Sequence, residues 1–588
     1  MTRWIRNQFK DRDELWMFGG AALFYTILAI VMTFPLVMKM SDSLVGDIGD
    51  NIYFVWLIRW YEKAFFELHI SPFFQPWMNY PEGWNLSTTD TSFATTFLGL
   101  PISILTRNPT LGYNVAMLAC FVLSGLAMYA WVRELTGNAR AGLIAGMIFA
   151  FLPYRIAHFL IGHLNQSGTQ YIPIFFWGLY EVLHRRGWSW KGILLGAVGL
   201  GLISFTGMYY LYNSLLMGGV FAAAYLLLAD RTRLREMDFW KKMGVMALCS
   251  APLVLGGVAP FLSLNQQGGI ASREVWYASQ YSASPTDFIL PSTDHFLWGW
   301  WVGANFDRSL WIESSLYIGS VAAILAGLAI WKRQQLTLSA SLKPLVIASL
   351  VVIVTSFVLA LGTDLHWNNQ RVEVPVPEFI RGWIDRETAP IPMPALILFK
   401  YFPFYSKMRA IMRIGFFLLL FTSLLAGLGS AWLLRRVPFR WRNATLFIIL
   451  GLVFIDFYPG PYTQFSRVEA RPVDHWLASQ PGTGAVAQFP FSQAEDQDQV
   501  YNTLVHGKPF IGGFFSANQP PQYRRIKPIL DQFPSAEGIQ VLRELGVEFI
   551  VIDISQYPDF PVIMKELERL GLSQMADVSG QMVFGWKK

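Results

Sequence analysis

Long apolar runs alternate with short polar segments along residues 1–457. A helix that crosses a bilayer needs about 20 mostly apolar residues. The first run covers residues 15–37 and is longer than the apolar core of a cleaved signal peptide. Further runs start near Tyr113, Ala141, Tyr171, Gly192, Tyr209, Met243, Leu316, Pro344, Ile414 and Ala444. The pattern predicts a polytopic α-helical membrane protein with about eleven transmembrane helices.

The charges in the connecting loops predict how the chain is oriented. Short basic loops occupy residues 133–140, 185–191, 231–242, 332–343 and 435–442, whereas residues 163–170 and 206–207 contain no Lys or Arg. Since basic loops stay in the cytoplasm, the N-terminus is expected there. The long polar segments 39–93, 265–313 and 363–413 then face outward from the plasma (inner) membrane, as does everything after residue 457.

Composition narrows the function classes. The chain is 53% hydrophobic and 15% charged, and soluble domains carry about 25% charged residues. An ordinary cytosolic enzyme is therefore excluded. The net charge of +6 comes from the short membrane-flanking loops, so it does not indicate nucleic-acid binding. Cys120 and Cys249 lie in apolar runs without neighbouring metal ligands, which excludes a zinc site.

The tail, residues 458–588, has a different pattern. Residues 473–480, 539–546 and 561–571 read as helices, and residues 484–491, 547–553 and 581–586 read as strands. This predicts two domains: a transmembrane catalytic domain at 1–457, with a large first outer loop at 39–93, and an extracytoplasmic α/β domain at 458–588. Residues 505–525 are rich in aromatic, Gly and polar side chains and read as a binding loop of that domain.

The first outer loop carries the strongest chemical signal. Asp47 and Asp50 lie in the turn GDIGDN, directly after the first apolar run. A partly desolvated carboxylate at the bilayer boundary is suited to act as a general base. The structural alternatives are a helix N-cap for Asp50 and a plain turn residue for Asp47. Glu82 and Asp90 are second-rank acidic candidates for substrate binding, or ordinary turn residues.

Several stretches together resemble the GT-C-fold glycosyltransferases, the class that includes protein O-mannosyltransferases and aminoarabinose transferases. They are GDIGDN, YPEGWNL, FAFLPYRIAHFLIGHLNQ, ESSLYIG and FPFYSKMRAIMR. The resemblance implies transfer of a sugar from a polyprenyl-phosphate donor to a lipid, glycan or protein acceptor of the cell envelope. It also implies an acidic base in the first outer loop, a role that falls on Asp50 or Asp47.

A departing polyprenyl phosphate is an anion, so the resemblance also calls for cations on the outer side. The candidates are Arg155, Arg273, Arg409 and Arg413. If Arg409 and Arg413 lie on one helix, their spacing of four residues puts them on a shared face. The alternative for these arginines is a snorkelling side chain that marks the membrane interface.

His158, His163 and Asn165 flank the short outer loop and are candidates for binding sugar or phosphate. The sequence identifies no definite cofactor, but a divalent cation, Mg²⁺ or Mn²⁺, could be held by Asp47, Asp50 and His163. Two other functions stay open at this stage. One is a transporter or flippase of a lipid-linked or polar substrate, and the other is a surface-polysaccharide polymerase or ligase.

Overall fold

The computed structural model describes residues 12–86, 92–266, 270–336, 342–381, 387–515 and 519–587. Asp90, a sequence-predicted site residue, lies outside these ranges. Within the described ranges, six helices are long and apolar enough to cross a membrane: Leu15–Met32, Pro109–Thr136, Met208–Leu228, Met237–Gln266, Lys343–Ala360 and Ile411–Arg436. The chain is therefore a multi-pass membrane protein.

A seventh span is formed if the helices Ala139–Ala150 and Pro153–Leu160, which meet at an angle of 42°, are counted together. Four shorter helices complete the set: Tyr171–His184, Trp190–Ser204, Ser320–Trp331 and Arg442–Phe457. A helix thus lies at every predicted apolar run. The count of about eleven crossings stays a prediction, because these shorter helices fall below the length that a crossing needs.

The bend between the paired helices has a local cause. The first helix ends at Ala150, and Pro153 occupies the first position of the second. Proline has no backbone N–H and its ring clashes with the preceding turn, so a helix tends to restart at this residue rather than continue through it. The restart turns Arg155 and His158 away from the line of the first helix.

The helix Ile411–Arg436 forms the centre of the bundle, and the most apolar part of it is completely buried. Its glycines allow close packing, since a Cβ at Gly429 would lie against the carbonyl oxygen of Leu325. A helix that is apolar on all sides is expected in this central position.

Short elements surround the bundle on the side of the first loop. The helices there are Asp50–Glu62, Phe93–Thr96, Leu100–Thr106, Leu164–Ser167, Val275–Ser279, Gly299–Asn305, Glu378–Arg381 and Ala395–Tyr401. Three small hairpins pair Phe74–Gln75 with Trp84–Asn85, His366–Trp367 with Gln370–Arg371, and Glu373–Pro375 with Thr388–Pro390.

The tail contains a four-stranded sheet in the order Leu572–Val578, Gln581–Trp586, Val547–Asp553 and Ala485–Phe489. The last two strands are parallel and the other neighbours are antiparallel. The helices are Pro472–Ser479, Gln493–His506, Pro521–Leu530, Ala536–Glu544 and Phe560–Arg569. Every helix and strand predicted in the tail is confirmed, although the boundary at residue 458 stays a prediction.

The tail is tied to the first loop rather than separate from it. Strand Phe465–Arg467 pairs antiparallel with strand Ser43–Val45, with Leu44 opposite Ser466. Phe515, in the stretch interpreted as a binding loop, is buried and packs its ring 4.4 Å from Trp84. Phe515 therefore fills the contact between tail and first loop, and the binding-loop interpretation stays a prediction for the rest of the stretch. We call the side of the molecule that carries these elements the first-loop face.

Candidate active site

The acidic turn is organised by a buried amide. The Asn51 side chain accepts hydrogen bonds from the Gly49 N–H (2.8 Å) and donates to the Asp47 carbonyl (2.8 Å). The helix Asp50–Glu62 begins directly after Gly49, which occupies the N-cap position without a side-chain cap. Asp50 is therefore not the N-cap, and its carboxylate sits on the first helical turn, where the helix dipole favours negative charge.

Two glycines let the acidic turn contact the bent helix pair. Gly46 and Gly162 have φ of +77° and +75°, a region that side chains with a Cβ rarely adopt. A Cβ at Gly46 would lie against the Leu160 carbonyl oxygen, and one at Gly162 would lie against Asn51. The close backbone contact places His163, the next residue, beside the acidic turn.

Asp50, His163 and His158 form a continuous chain of contacts. The His163 Nε2 lies 3.0 Å from the Asp50 Oδ2, and the Nδ1 atoms of His163 and His158 are 2.9 Å apart. The Asp50 side chain is 40% exposed and that of His163 is 16% exposed, whereas His158 is buried. With an ionised Asp50 and neutral rings, His163 donates to Asp50 and accepts from His158. The carboxylate is thus oriented while one side of it stays accessible.

Buried hydroxyl groups lie behind the two histidines. The Tyr154 ring meets the His158 ring edge-on at 4.5 Å. The Tyr154 and Tyr210 hydroxyl oxygens are 3.3 Å apart, and Tyr210 donates to the Gln166 carbonyl at 2.7 Å. Asn165 uses its side-chain oxygen to accept from the Gln166 N–H (2.9 Å). These contacts fix the histidine rings from inside the bundle.

Sequence reasoning overlooked Glu313, which forms a buried ion pair with Arg413. The Arg413 Nε lies 3.1 Å and 2.9 Å from the two Glu313 carboxylate oxygens, and its Nη2 also contacts Oε1. Burial alone would raise the pKa of Glu313, but the charge and hydrogen bonds of Arg413 outweigh it and lower that pKa to about 2. The only sequence signal was an isolated acid, in ESSLYIG, next to an apolar run.

The predicted arginine pair is not arranged as expected. Arg409 lies in an irregular stretch before the central helix, and Arg413 lies in a short helical turn, Ile411–Gly415. The prediction that the two arginines share one helix face is therefore wrong, because the regular helix begins only at Phe416. The Arg413 charge is neutralised by Glu313. Arg409 is half-buried, and its guanidinium lies over the Tyr281 ring at 5.2 Å.

The other two predicted arginines occupy different environments. Arg155 is fully buried, donates to the Ser167 carbonyl at 2.9 Å, and lies over the Phe121 ring at 5.0 Å. Arg273 is half-buried, and its backbone N–H donates to the Ser406 carbonyl at 2.7 Å. Arg273 therefore belongs to the same surface region as Arg409, on the first-loop face, whereas Arg155 lies inside the bundle.

Asp47 faces a cavity rather than the Asp50–His163 pair. Its Oδ1 accepts from the Gln464 Nε2 at 2.7 Å, and it lines a cavity of about 460 Å³ together with Gly49. Asp50 does not line this cavity, although the adjacent Gly49 does. Glu82, the other acidic candidate, is exposed in its turn.

Within the described ranges, no group of three or more His, Cys, Asp or Glu side chains is placed to hold a metal ion. The predicted set of Asp47, Asp50 and His163 is not assembled, because Asp47 is turned toward Gln464.

Comparison with solved structures identifies the fold. The arabinofuranosyltransferase AftD from Mycobacteria superposes with a TM-score of 0.53 and 14% sequence identity over 97% of this chain. The chain spans 41% of the length of AftD. The match confirms the predicted GT-C fold.

Two further solved structures give a TM-score of 0.46. The oligosaccharyltransferase of Archaeoglobus fulgidus in complex with Zn and sulfate is 13% identical, over 97% of this chain and 73% of that chain. ArnT from Cupriavidus metallidurans bound to undecaprenyl phosphate is 10% identical, over 96% of this chain and 98% of that chain. No curated protein matches the chain in sequence.

A protein-family comparison matches residues 18–386, more than half of the chain, to one family. The matched segment includes the acidic turn, the bent helix pair and Glu313. The chain therefore belongs to the family described as domain of unknown function (DUF6311).

Proposed function

We propose that this protein is a glycosyltransferase that moves a sugar from a polyprenyl-phosphate donor to an acceptor hydroxyl at the outer face of the membrane. The GT-C fold and the acidic turn after the first span support this proposal. The observation that carries it is the Asp50 carboxylate, held at 3.0 Å by His163 at the edge of the bundle.

Asp50 acts as the general base in this reaction. It accepts the proton of the acceptor hydroxyl while that oxygen bonds to the anomeric carbon of the donor sugar. The bond from the anomeric carbon to the phosphate oxygen breaks, and polyprenyl phosphate leaves with the bonding electrons. The hydrogen bond from His163 keeps one carboxylate oxygen oriented, so that the other oxygen can accept the proton.

Arg273 and Arg409 are better placed than Arg413 to hold the phosphate of the donor. Arg413 is neutralised by Glu313, whereas neither Arg273 nor Arg409 has an acidic side chain within ion-pair distance among the described residues. Lys407 lies with them, and its ammonium donates to the Ile270 carbonyl at 2.5 Å. The three cations form a basic surface region on the first-loop face, and cations are what a phosphate leaving group requires.

The test is sugar transfer in proteoliposomes, with donors that carry different radiolabelled sugars on polyprenyl phosphate. The Asp50→Asn variant should lose roughly 10²–10⁴-fold in transfer rate, because the amide cannot accept the proton. Asp42→Asn is the matched control, since Asp42 is an exposed carboxylate of the same loop. Transfer that is unchanged in Asp50→Asn would refute the base assignment. Movement of intact donor across the bilayer, without transfer, would instead favour a flippase.

A further inference from the structure

The cavity beside the acidic turn is built by four parts of the chain that are distant in sequence. The acidic turn supplies Asp47, and the end of the bent helix pair supplies Leu160 and Ile161. The segment after the last span supplies Tyr462 and Gln464, and the loop before Glu313 supplies Asp294 and Trp311. Its volume of about 460 Å³ lies within the range of small-ligand pockets. The space is therefore large enough for one or two sugar rings.

The charge of the cavity decides which ligand it suits. Two carboxylates, Asp47 and Asp294, line it, and none of its described lining residues is Lys, Arg or His. A phosphate or other anion would be repelled there. Carboxylates accept hydrogen bonds from hydroxyl groups, so the lining suits a neutral, hydroxyl-rich ligand.

Other lining groups have the same character. The Trp311 ring is half-buried at the wall and offers an apolar face for stacking. Tyr462 also lines the cavity, but its hydroxyl group is buried away from the open space. Asp294 is fixed by a hydrogen bond from the Ser292 hydroxyl at 3.0 Å. The cavity thus combines an aromatic face with oriented hydrogen-bond acceptors, and both features suit a sugar.

The cavity also lies close to the reacting groups. Gly49 in its wall directly precedes Asp50, and Trp311 lies two residues before Glu313. The basic surface region around Arg409 does not contribute to its lining. We infer that this cavity binds the acceptor as a neutral sugar and presents its hydroxyl to Asp50, while the donor phosphate binds elsewhere. This inference rests on the proposed function.

Binding can be tested without turnover, by saturation-transfer NMR on the full-length protein in nanodiscs. The probes are methyl β-D-glucopyranoside and methyl α-D-arabinofuranoside as neutral sugars, and glucose 6-phosphate as the anionic one. We expect the neutral glycosides to bind and the phosphate to bind about tenfold more weakly or not at all. Trp311→Ala should weaken neutral binding by about tenfold, and Trp311→Phe should restore most of it.

Trp300→Ala is the matched control, because Trp300 is exposed and does not line the cavity. The inference would be overturned if glucose 6-phosphate bound as tightly as the neutral glycosides. It would also be overturned if the neutral glycosides bound equally well to Trp311→Ala and to the wild-type protein. In the transfer assay, Trp311→Ala should raise the KM for the acceptor and leave the KM for the donor unchanged. The two proposals can fail separately. If Asp50→Asn loses sugar transfer but Trp311→Ala binds the glycosides as wild type does, this inference is overturned and the proposed function stands.

Discussion

Replacing Glu313 by Gln should strongly destabilise the protein. The side chains of Glu313 and Arg413 are 8% and 7% exposed, so the Arg413 charge would stay buried beside a neutral amide. Removing one partner of a buried ion pair costs about 3–5 kcal/mol. Since Gln keeps the shape and one acceptor oxygen, we expect a loss near the lower end, ~3 kcal/mol.

The assay is reversible unfolding in mixed detergent micelles, read out as the free energy of unfolding. The control is Glu566→Gln, which breaks the exposed pair with Arg569 and should leave the free energy of unfolding nearly unchanged, because solvent screens an exposed pair. The double variant Glu313→Met with Arg413→Met should recover most of the loss, since it leaves no unpaired charge. A Glu313→Gln protein as stable as wild type would refute the reasoning, as would a double variant less stable than Glu313→Gln.

The pH dependence of the same pair provides a second check. Because the folded-state pKa of Glu313 is lowered to about 2, its contribution to stability is complete above its ordinary value, near 4.5. That contribution should be lost as the pH falls from about 4.5 toward 2. A Glu313→Gln protein should show a flatter stability profile over this window, and identical profiles for the two proteins would contradict the assignment.

Other substitutions test separate parts of the structure. Gly162→Ala should lower both stability and transfer, because its Cβ would strike the neighbouring loop. The control is Gly187→Ala, because Gly187 has a similar φ of +81° but open space around it. It should lower the free energy of unfolding by only about 1 kcal/mol. Equal losses of stability in the two variants would refute the contact between Gly162 and the acidic turn. Burial lowers the pKa of His506 to about 4. The free energy of unfolding should therefore fall by ~2 kcal/mol as the pH is lowered from 7.5 to 5, because the unfolded chain binds the proton first. His506→Gln should remove this dependence on pH. Arg233→Lys should lower the free energy of unfolding by ~1–3 kcal/mol, since a single ammonium cannot bond the three helix-end carbonyls that the guanidinium reaches. The control is Arg231→Lys, at an exposed position. Equal stability of the Arg233→Lys and Arg231→Lys proteins would contradict this prediction.

The positions of the helices were readable from the sequence because apolar runs report burial directly. The number of membrane crossings could not be read from the sequence in the same way. Helices such as Ser320–Trp331 are apolar but only 12 residues long, and composition does not distinguish a short crossing from a helix packed within the bundle. The break before Pro153 also divides a run that reads as continuous.

The site was readable only where it is local in sequence. The acidic turn could be found because Asp50 follows an apolar run within a short motif. The partner of Arg413 lies 100 residues away, and the partner of the Asp47 carboxylate lies 417 residues away. No spacing rule connects such residues, so their pairing becomes visible only in three dimensions.

The pairing of strand Ser43–Val45 with strand Phe465–Arg467 has a consequence for biogenesis. The Ser466 hydroxyl that bonds the Gly46 carbonyl lies 420 residues further along the chain. During synthesis, the acidic turn therefore enters the membrane long before its strand partner has left the ribosome. The candidate active site is complete only after the last helix has been inserted and the tail has reached the first-loop face. A nascent or truncated chain that ends before residue 465 is thus expected to be inactive, which delays any reaction until assembly is complete.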